Sequence, residues 1–593
     1  MSIEPGSDED LPRGSDFATG NRLLMLSAFA LVIGGISTVG AAVLLAAIRL
    51  FTNLFFYQSA SLADRSPAHN HLGLAVILVP AIGGLIVGLI ARFGSEKIRG
   101  HGIPEAIEAI LFGKSRMSPK IAILKPLSSG IAIGSGGPFG AEGPIIMTGG
   151  AAASLLAQAF HLTASERKAL LVAGACAGMT AVFGTPLAAV LLAVELLLFE
   201  LRPRSLLPVA ISCAVAGFLR PLWAVAGPLF PLQTPAPSMI AMLSCIVAGL
   251  ASGALSALMT NFVYYVEDFF GHLKLHWMWW PALGGLVVGI GGFMQPRALG
   301  VGYDVIGDLL QNHVLLSAAI GLLAVKTCIW VVALGSGTSG GVLAPLLTIG
   351  AGLGTVLGPW LPGGSPELWA LVCMASILAG TMRAPLTAVV FAFGLTHDVN
   401  AFLPSILGCV VAYGFTVIVM RRSILTEKIA RRGRHVYREY GVDPLDRHFV
   451  DEVMTRSVVT IDGSMRAGNV LREYFGLEQL HRAYPVVLDQ KLIGMLDRER
   501  LQAWLPEALD RPVSEFLAQQ PIEVFATPAD TCRMVASQLA SGGIERIPIV
   551  DNAASRRVIG IVSRSDLLKP SRLLHDEDFQ RERHFDFLGR IDS

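Results

Sequence analysis

Charged residues are scarce in most of this sequence. Only 15% of its 593 residues are charged, and they divide unevenly, with 39 in residues 1–420 and 52 in residues 421–593. A soluble globular protein has about 25% charged residues, so the first 420 residues are too apolar for water alone. The sequence therefore predicts a membrane region followed by a soluble domain.

The sequence also lacks an excess of charge of either sign, paired cysteines and a metalloprotease motif. The net charge of +1 gives no electrostatic basis for a nucleic-acid partner. The seven cysteines form no CxxC pair, so we expect buried thiols and no zinc or redox site. An HExxH motif is missing as well, and the thirteen histidines form no clear cluster, which argues against a membrane-embedded enzyme. We predict neither enzymatic activity nor a bound metal.

Apolar runs fill residues 22–420, after a polar and acidic tail at residues 1–21. The tail has no basic start like that of a signal peptide, so we expect the first run to stay in the membrane. Runs near the roughly 20 residues that span a bilayer lie at 23–50, 72–92, 205–228, 238–260, 279–296, 315–334 and 401–420. Shorter runs interrupted by Gly and Pro lie at 119–134, 144–160, 168–180, 184–199, 342–360 and 384–396. Short, broken helices are typical of transporters with a site near the membrane midplane.

Basic residues follow the last apolar run. Residues 421–434 contain six Arg or Lys residues and one acid, Glu427. The positive-inside rule therefore places residues 445–593 in the cytoplasm, after a basic linker at 421–444. The compact organisation favours the inner membrane of a bacterial cell and a multi-pass protein.

An internal repeat relates two glycine-rich loops. Residues 134–150 (GSGGPFGAEGPIIMTGG) and 335–351 (GSGTSGGVLAPLLTIGA) share six identities at a constant offset of 201. Lys125 and Lys326 are also 201 residues apart, and each stands nine residues before its GSG. The pattern predicts two related halves with a site where the repeats meet.

Each loop leads through proline into an apolar run, which predicts a helix N-terminus inside the protein. Proline fits the first helical turn, and glycine lets the backbone approach a ligand closely. Free N–H groups and the helix dipole favour an anion there. A weak site of this kind suits conduction, because the ion must also leave.

Glu142 stands in the first loop. Its carboxylate can occupy the anion site, and protonation would free that site, which makes a gate that responds to pH and to competing anions. The alternative is an acid that caps the helix and has no transport role. Ionisable residues in membrane segments are usually functional, so we favour the gate.

Three motifs in these segments resemble those of the CLC family of chloride channels and proton-coupled chloride exchangers. Residues 100–105 (GHGIPE) are similar to the family's GSGIPE, residues 140–144 (GAEGP) to GREGP or GKEGP, and residues 341–345 (GVLAP) to GIFAP. The resemblance covers about residues 25–435. It implies an all-α polytopic membrane domain with inverted repeats and broken helices over residues 22–420, a homodimer, and an anion pathway in each subunit.

The resemblance also implies roles for individual residues. Glu142 falls on the family's gating glutamate, and the backbone amides of Val342 and Leu343 fall on the donors to the central chloride. The remaining anion-binding and pathway residues that it implies are Gly102, Gly140, Gly143, Lys125 and Lys326. Lys125 falls on a lysine near the pathway, or alternatively extends to the membrane surface.

Three positions depart from the family pattern. His101 replaces the central serine and can donate a hydrogen bond or gain a charge, unless its side chain packs away from the ion. Leu425 takes the place of the central tyrosine and supplies no hydroxyl to the anion site. Leu196 occupies the position of the inner proton-transfer glutamate, with Glu195 one position earlier as a structural acid. These losses argue against tight proton coupling, although a water-mediated proton route is an alternative and Glu142 serves either mechanism.

Residues 445–593 contain two similar β-rich units, whose strand sequences YPVVLD and IPIVD stand 63 residues apart. They resemble a tandem pair of CBS motifs, which forms one α/β module. The resemblance implies an adenine nucleotide at the second unit, with Ser563 on phosphate and Asp566 on the ribose hydroxyls. Asp497 in the first unit would repel phosphate, so we expect at most one such site. The alternative is a dimerisation or docking module.

The leading interpretation is chloride transport by a CLC-type pathway that Glu142 gates and the CBS pair regulates. A channel or weakly coupled carrier is favoured, and the alternative is a tightly coupled proton/chloride antiporter. A more remote alternative is a divalent-cation channel, because CBS modules also occur on magnesium transporters. A cation pore would need several acids, and the apolar segments offer few. The expected partners are chloride or other small anions, protons in the antiporter, the lipid membrane and a second copy of the chain; no cofactor is required.

Overall fold

The chain divides into two compact units, Met1–Glu439 and Tyr440–Ser593. The computed structural model describes residues 22–434, 443, 445, 448–476, 479, 481–518 and 524–569. The predicted N-terminal tail, most of the linker after residue 434, and residues 570–593 lie outside the described residues.

The first unit is helical. Its first half contains α1 (Arg22–Tyr57), α2 (Leu78–Phe93), α3 (Ile103–Leu111), α4 (Pro119–Gly134), α5 (Glu142–Gln158), α6 (Ala164–Phe183), α7 (Pro186–Leu192, continued by a π-helix at Ala193–Leu198) and α8 (Pro203–Leu219). Its second half contains α9 (Ala241–His272), α10 (Trp280–Met294), α11 (Tyr303–Leu310), α12 (Leu316–Gly335), α13 (Leu343–Leu357), α14 (Pro366–Met382), α15 (Pro385–Thr396) and α16 (Phe402–Val419), and α17 (Ile424–Arg431) follows. Among the described residues, eight helices are long and apolar enough to cross a membrane.

Reciprocal contacts relate the two halves by a two-fold axis. A Cβ atom on Gly84 of α2 would lie 2.1 Å from the Pro281 carbonyl oxygen, and one on Gly285 of α10 would lie 2.2 Å from the Pro80 carbonyl oxygen. Only glycine permits this approach. Because Pro80 faces Gly285 and Gly84 faces Pro281, the matching helices run antiparallel. The two halves therefore cross in opposite directions, which confirms the predicted inverted repeat.

Helix α14 is not among the predicted segments, although its start is marked in the sequence. The Ser365 hydroxyl accepts a hydrogen bond from the Leu368 N–H at 3.4 Å, and Pro366 fills the first helical position. The helix is almost wholly buried and packs against α13. It therefore supports α13, whose N-terminus forms part of the site described below.

The second unit combines short strands and helices. Its elements are α18 (Val450–Val453), β1 (Ile461–Asp462), α19 (Ala467–Tyr474), β2 (Ala483–Leu488), β3 (Lys491–Asp497), α20 (Arg498–Ala508), α21 (Val513–Leu517), α22 (Cys532–Gly542), β4 (Arg546–Val550) and β5 (Val558–Ser563). Strand β2 pairs in parallel with β1 and antiparallel with β3, and β4 pairs antiparallel with β5, where Pro548 lies opposite Ile561. Alternate residues of β4, such as Ile547 and Ile549, enter the core. The predicted α/β module with two similar parts is confirmed.

Candidate functional site

The two glycine-rich loops meet at their centres. The Gly140 N–H donates to the Gly341 carbonyl at 3.1 Å, and the Gly341 N–H donates to the Gly140 carbonyl at 2.9 Å. Side chains do not fit here, because a Cβ atom on Gly341 would lie 2.6 Å from the Gly140 oxygen. This contact brings the N-termini of α5 and α13 together.

Glu142 is fully buried, and its carboxylate lies on the N-terminus of α13. Its Oε1 accepts a hydrogen bond from the Ala344 N–H at 2.9 Å, and the Leu343 amide also interacts with the carboxylate. Amides in the first helical turn have no intrahelical partner, and the helix dipole favours a negative charge beside them. Oε2 has no hydrogen-bond partner among the described residues. The carboxylate therefore stands where this helix end would bind a free anion.

The loop before α3 packs against the start of α5. A Cβ atom on Gly143 would lie 1.9 Å from the His101 carbonyl oxygen, and one on Gly102 would lie 2.9 Å from the Gly143 carbonyl oxygen. Gly102 has φ +89°, a backbone conformation that favours glycine. The imidazole of His101 is buried, and its Nδ1 has no hydrogen-bond partner in the described part of the chain. A buried nitrogen without a partner is free to bond to a ligand.

A buried carboxylate joins this loop to α17. Glu105 accepts a hydrogen bond from the Gly102 N–H at 3.1 Å, and it forms ion pairs with Lys428 at 3.4 Å and Arg432 at 3.0 Å. Leu425 is fully buried in the first turn of α17. Glu105 ends the GHGIPE motif, but no pattern in the sequence predicts its role, because its partners are more than 300 residues away.

The two repeat-related lysines are fully buried and bind backbone carbonyls. Lys125 Nζ donates to two carbonyls of the loop before α3 at 2.8 Å each, and Lys326 Nζ donates to two of the loop before α11 at 2.9 Å each. The acceptors are Ile98, Gly100, Ala298 and Gly300. Each ammonium therefore fixes a loop. Lys125 is fully buried and does not extend to the membrane surface, which was the alternative for this residue. The effect of both charges on the anion pathway stays a prediction.

Glu195 caps a helix. Its carboxylate accepts hydrogen bonds from the N–H of Leu386 at 3.2 Å, the N–H of Thr387 at 2.7 Å and the Thr387 hydroxyl at 2.6 Å. These groups form the start of α15, so Glu195 has the structural role expected of it. Leu196, the next residue, is buried and presents no ionisable group.

In the second unit, Ser563 and Asp566 bind each other. Asp566 Oδ2 accepts hydrogen bonds from the Ser563 N–H at 2.9 Å and the Ser563 hydroxyl at 2.6 Å, and Oδ1 pairs with Lys569 at 2.7 Å. Partial burial raises the pKa of Asp566, but the hydrogen bonds from Lys569 and Ser563 outweigh it, so the pKa lies below its ordinary value. In the first of the two similar parts of this unit, Asp497 caps α20 by accepting from the Arg500 N–H at 2.7 Å. The two similar parts thus carry different side chains at the ends of β3 and β5, Asp497 in one and Ser563 in the other.

Comparison with protein families matches both units. The model of the voltage-gated chloride channel family matches residues 82–417, which is more than half of the chain. The CBS domain model matches twice, at residues 450–507 and 513–571. The predicted resemblance is confirmed for both parts.

Individual relatives agree. A putative chloride channel protein ClcB-like from Ralstonia nicotianae is 28% identical over 368 residues, which cover 60% of this chain and 86% of the relative. The voltage-gated ClC-type chloride channel ClcB of Escherichia coli is 31% identical over 366 residues, covering 60% of this chain and 87% of the relative. Among solved structures, a slow cyanobacterial Cl−/H+ antiporter superimposes with a TM-score of 0.61 at 22% identity, over 70% of this chain and 98% of that one. A eukaryotic CLC transporter has a TM-score of 0.58 at 19% identity, over 92% of this chain and 98% of that one.

Proposed function

Because the chain belongs to the voltage-gated chloride channel family, we propose that it carries chloride across the membrane through a pathway that Glu142 closes. The observation that carries this proposal is the hydrogen bond from the Ala344 N–H to the Glu142 carboxylate at 2.9 Å. A free anion and this carboxylate compete for the same helix end. Protonation of Glu142, or its displacement by chloride, opens the pathway.

A channel or weakly coupled carrier is the form of transport that we favour. The curated relatives carry the name of chloride channels. In this chain, Leu196 and Leu425 supply no proton-accepting or hydroxyl group at two positions where the family pattern has one. The antiporters among the structural neighbours are too distant in sequence to support more than a shared fold. The alternative is a tightly coupled proton/chloride antiporter, in which protons pass Leu196 by way of water.

His101 is our second candidate anion contact. Its imidazole is buried, and its Nδ1 lacks a partner among the described residues. In the tautomer that carries a proton on Nδ1, this nitrogen donates to an anion that has entered beside Gly102 and Gly143.

The proposed function also includes an orientation in the membrane and an oligomeric state. We propose that the protein lies in a bacterial inner membrane and that its second unit is cytoplasmic, and the excess of basic residues at 421–434 supports this orientation. We propose a homodimer in which each subunit has its own pathway.

We further propose that the second unit regulates transport by binding an adenine nucleotide. The Ser563 hydroxyl and the Asp566 carboxylate stand together at the end of β5 and provide donors and acceptors for phosphate and ribose. The first CBS motif of this unit has Asp497 at the matching place, and its negative charge would repel phosphate. One nucleotide for each chain is therefore expected. Calorimetric titration of the full-length protein with ATP and AMP tests this, and an unchanged titration after Ser563→Ala would contradict it.

The transport proposal is tested by reconstituting the purified protein in liposomes with a chloride gradient. Lumenal chloride and lumenal pH are recorded together under a clamped voltage. Chloride movement without proton movement supports the channel or weakly coupled form, and uphill proton movement supports the antiporter. Absence of chloride flux from folded protein would contradict the proposal.

A further inference from the structure

The Tyr303 hydroxyl is a buried polar group that the proposed pathway leaves unused. Its oxygen is closed to solvent and has no hydrogen-bond partner among the described residues. The ring is held edge-on to Phe183, with 6.2 Å between ring centroids, and lies 6.3 Å from Phe230. Aromatic neighbours therefore fix the ring and leave the hydroxyl unsatisfied. Buried tyrosine hydroxyls usually find a partner, so this one calls for an explanation.

The backbone around Tyr303 is fixed as firmly as its ring. Lys326 donates to the Gly300 carbonyl at 2.9 Å, and the Gly300 N–H donates to the Gly136 carbonyl at 3.0 Å. Gly302 then adopts φ +80°, and α11 begins at Tyr303. The phenol therefore follows a loop that these hydrogen bonds hold in place. The corresponding loop of the first half contains His101.

This loop adjoins the helix end that holds Glu142. A Cβ atom on Gly302 would lie 3.7 Å from Thr348 Oγ1, and that hydroxyl donates to the Ala344 carbonyl at 3.1 Å. The N–H of the same Ala344 binds Glu142. The tyrosine and the carboxylate are close enough for an electrostatic interaction. Two buried, unpaired oxygens, Tyr303 Oη and Glu142 Oε2, therefore lie in one region.

We propose that Tyr303 is a positioning residue of the gate, whose hydroxyl donates a hydrogen bond to Glu142 after an anion has displaced that side chain from Ala344. The proposal rests on the gating role of Glu142. On leaving α13, the carboxylate loses the Ala344 hydrogen bond and stays in a region of low polarity, where an unpaired charge is costly. A phenol is a donor and a carboxylate an acceptor. Tyr303 thus lowers the free energy of the open arrangement, and with it the cost of admitting the anion.

The test is calorimetric titration of chloride into the purified full-length protein, in four forms that make a double-mutant cycle. These are wild type, Tyr303→Phe, Glu142→Ala and the double variant. Tyr303→Phe removes one oxygen and keeps the ring between its aromatic neighbours. In wild type, chloride must displace Glu142, so we expect Tyr303→Phe to weaken apparent chloride affinity about tenfold, the effect of one hydrogen bond to a charged group. In the Glu142→Ala background, we expect Tyr303→Phe to have no effect.

Two outcomes would overturn the proposed role of Tyr303 and leave the gating role of Glu142 intact. Equal weakening in both backgrounds would show that Tyr303 contacts the anion or supports the site structurally, and unchanged affinity in both would show that the hydroxyl has no role. Glu142→Ala alone must strengthen chloride binding, and failure of that result would overturn the gating proposal itself. The matched control is Tyr265→Phe on the exposed face of α9, which we expect to bind chloride like wild type.

Discussion

Glu142 and Ala344 are 202 residues apart, yet the carboxylate of one accepts the backbone N–H of the other at 2.9 Å. The acid belongs to the first half of the inverted repeat, and the helix end that it occupies belongs to the second half. Opening this contact requires a movement or protonation of one side chain. The backbone around it stays fixed by the paired amides of Gly140 and Gly341.

Replacement of Lys326 by Met should destabilise the membrane unit. Two buried carbonyls lose their donor, at about 1–3 kcal/mol each, and removal of the buried ammonium offsets part of this cost. We expect a net loss of about 1–3 kcal/mol, seen as a lower midpoint of thermal unfolding in detergent. Lys97→Met, at an exposed lysine, is the control. If both variants unfold at the same temperature, the hydrogen bonds from Lys326 to the loop before α11 do not stabilise the membrane unit.

Replacement of Glu105 by Gln should loosen α17. The buried carboxylate pairs with Lys428 and Arg432, and Gln keeps an acceptor for the Gly102 N–H but removes the counter-charge of Lys428, while Arg432 keeps its ion pair with Glu108. We expect amide hydrogen exchange in residues 424–431 to become about tenfold faster, a change of roughly 1.4 kcal/mol. Glu96→Gln removes an exposed ion pair with Arg99 and should leave this exchange unchanged. Equal exchange in the two variants would argue against the role of Glu105.

Replacement of Leu196 by Glu should increase the number of protons moved for each chloride ion. It adds an ionisable group where the exchangers of the family have their inner proton-transfer glutamate, beside Glu195, which is already engaged in capping α15. The measurement is lumenal pH during chloride flux into liposomes. Leu196→Gln is the control, because its side chain has similar size and cannot be ionised. Equal proton movement in the two variants would show that the lack of an ionisable group at position 196 is not what limits the coupling of protons to chloride.

Asp566 should stabilise the second unit in a pH-dependent way. Its pKa lies below the ordinary value despite the effect of burial, because Lys569 and Ser563 bind the charged form. A depressed carboxyl pKa contributes stability above the unfolded value of about 3.9 and loses it as the pH falls through the folded value. We therefore expect Asp566→Asn to speed hydrogen exchange in β4 and β5 at pH 7, and the difference from wild type to shrink below about pH 4. A difference that is constant with pH would contradict this origin.

Repetition in the sequence made much of the membrane unit predictable. Gly140 and Gly341 stand at equivalent positions, so a two-fold relation brings them together, and the same offset identifies Lys125 and Lys326. Contacts outside the repeat could not be predicted. Glu105 meets Lys428 only through the packing of α3 on α17. Tyr303 begins α11 as Ile103 begins α3, so no shared motif marks its hydroxyl, and its place in the region of Glu142 follows from tertiary structure alone.

The central claim is that the Glu142 carboxylate closes the pathway. It is tested most directly by chloride efflux from liposomes that contain wild type or Glu142→Ala. Efflux is measured at pH 7.5 and at pH 4.5, roughly three units apart, to cover the range in which carboxyl groups titrate. If the carboxylate closes the pathway, wild-type efflux rises on acidification, whereas the variant conducts faster than wild type at the higher pH and responds little to acid. A variant that conducts no faster than wild type, or that keeps the wild-type pH response, would show that the carboxylate on the α13 N-terminus is a structural cap and that the gate lies elsewhere.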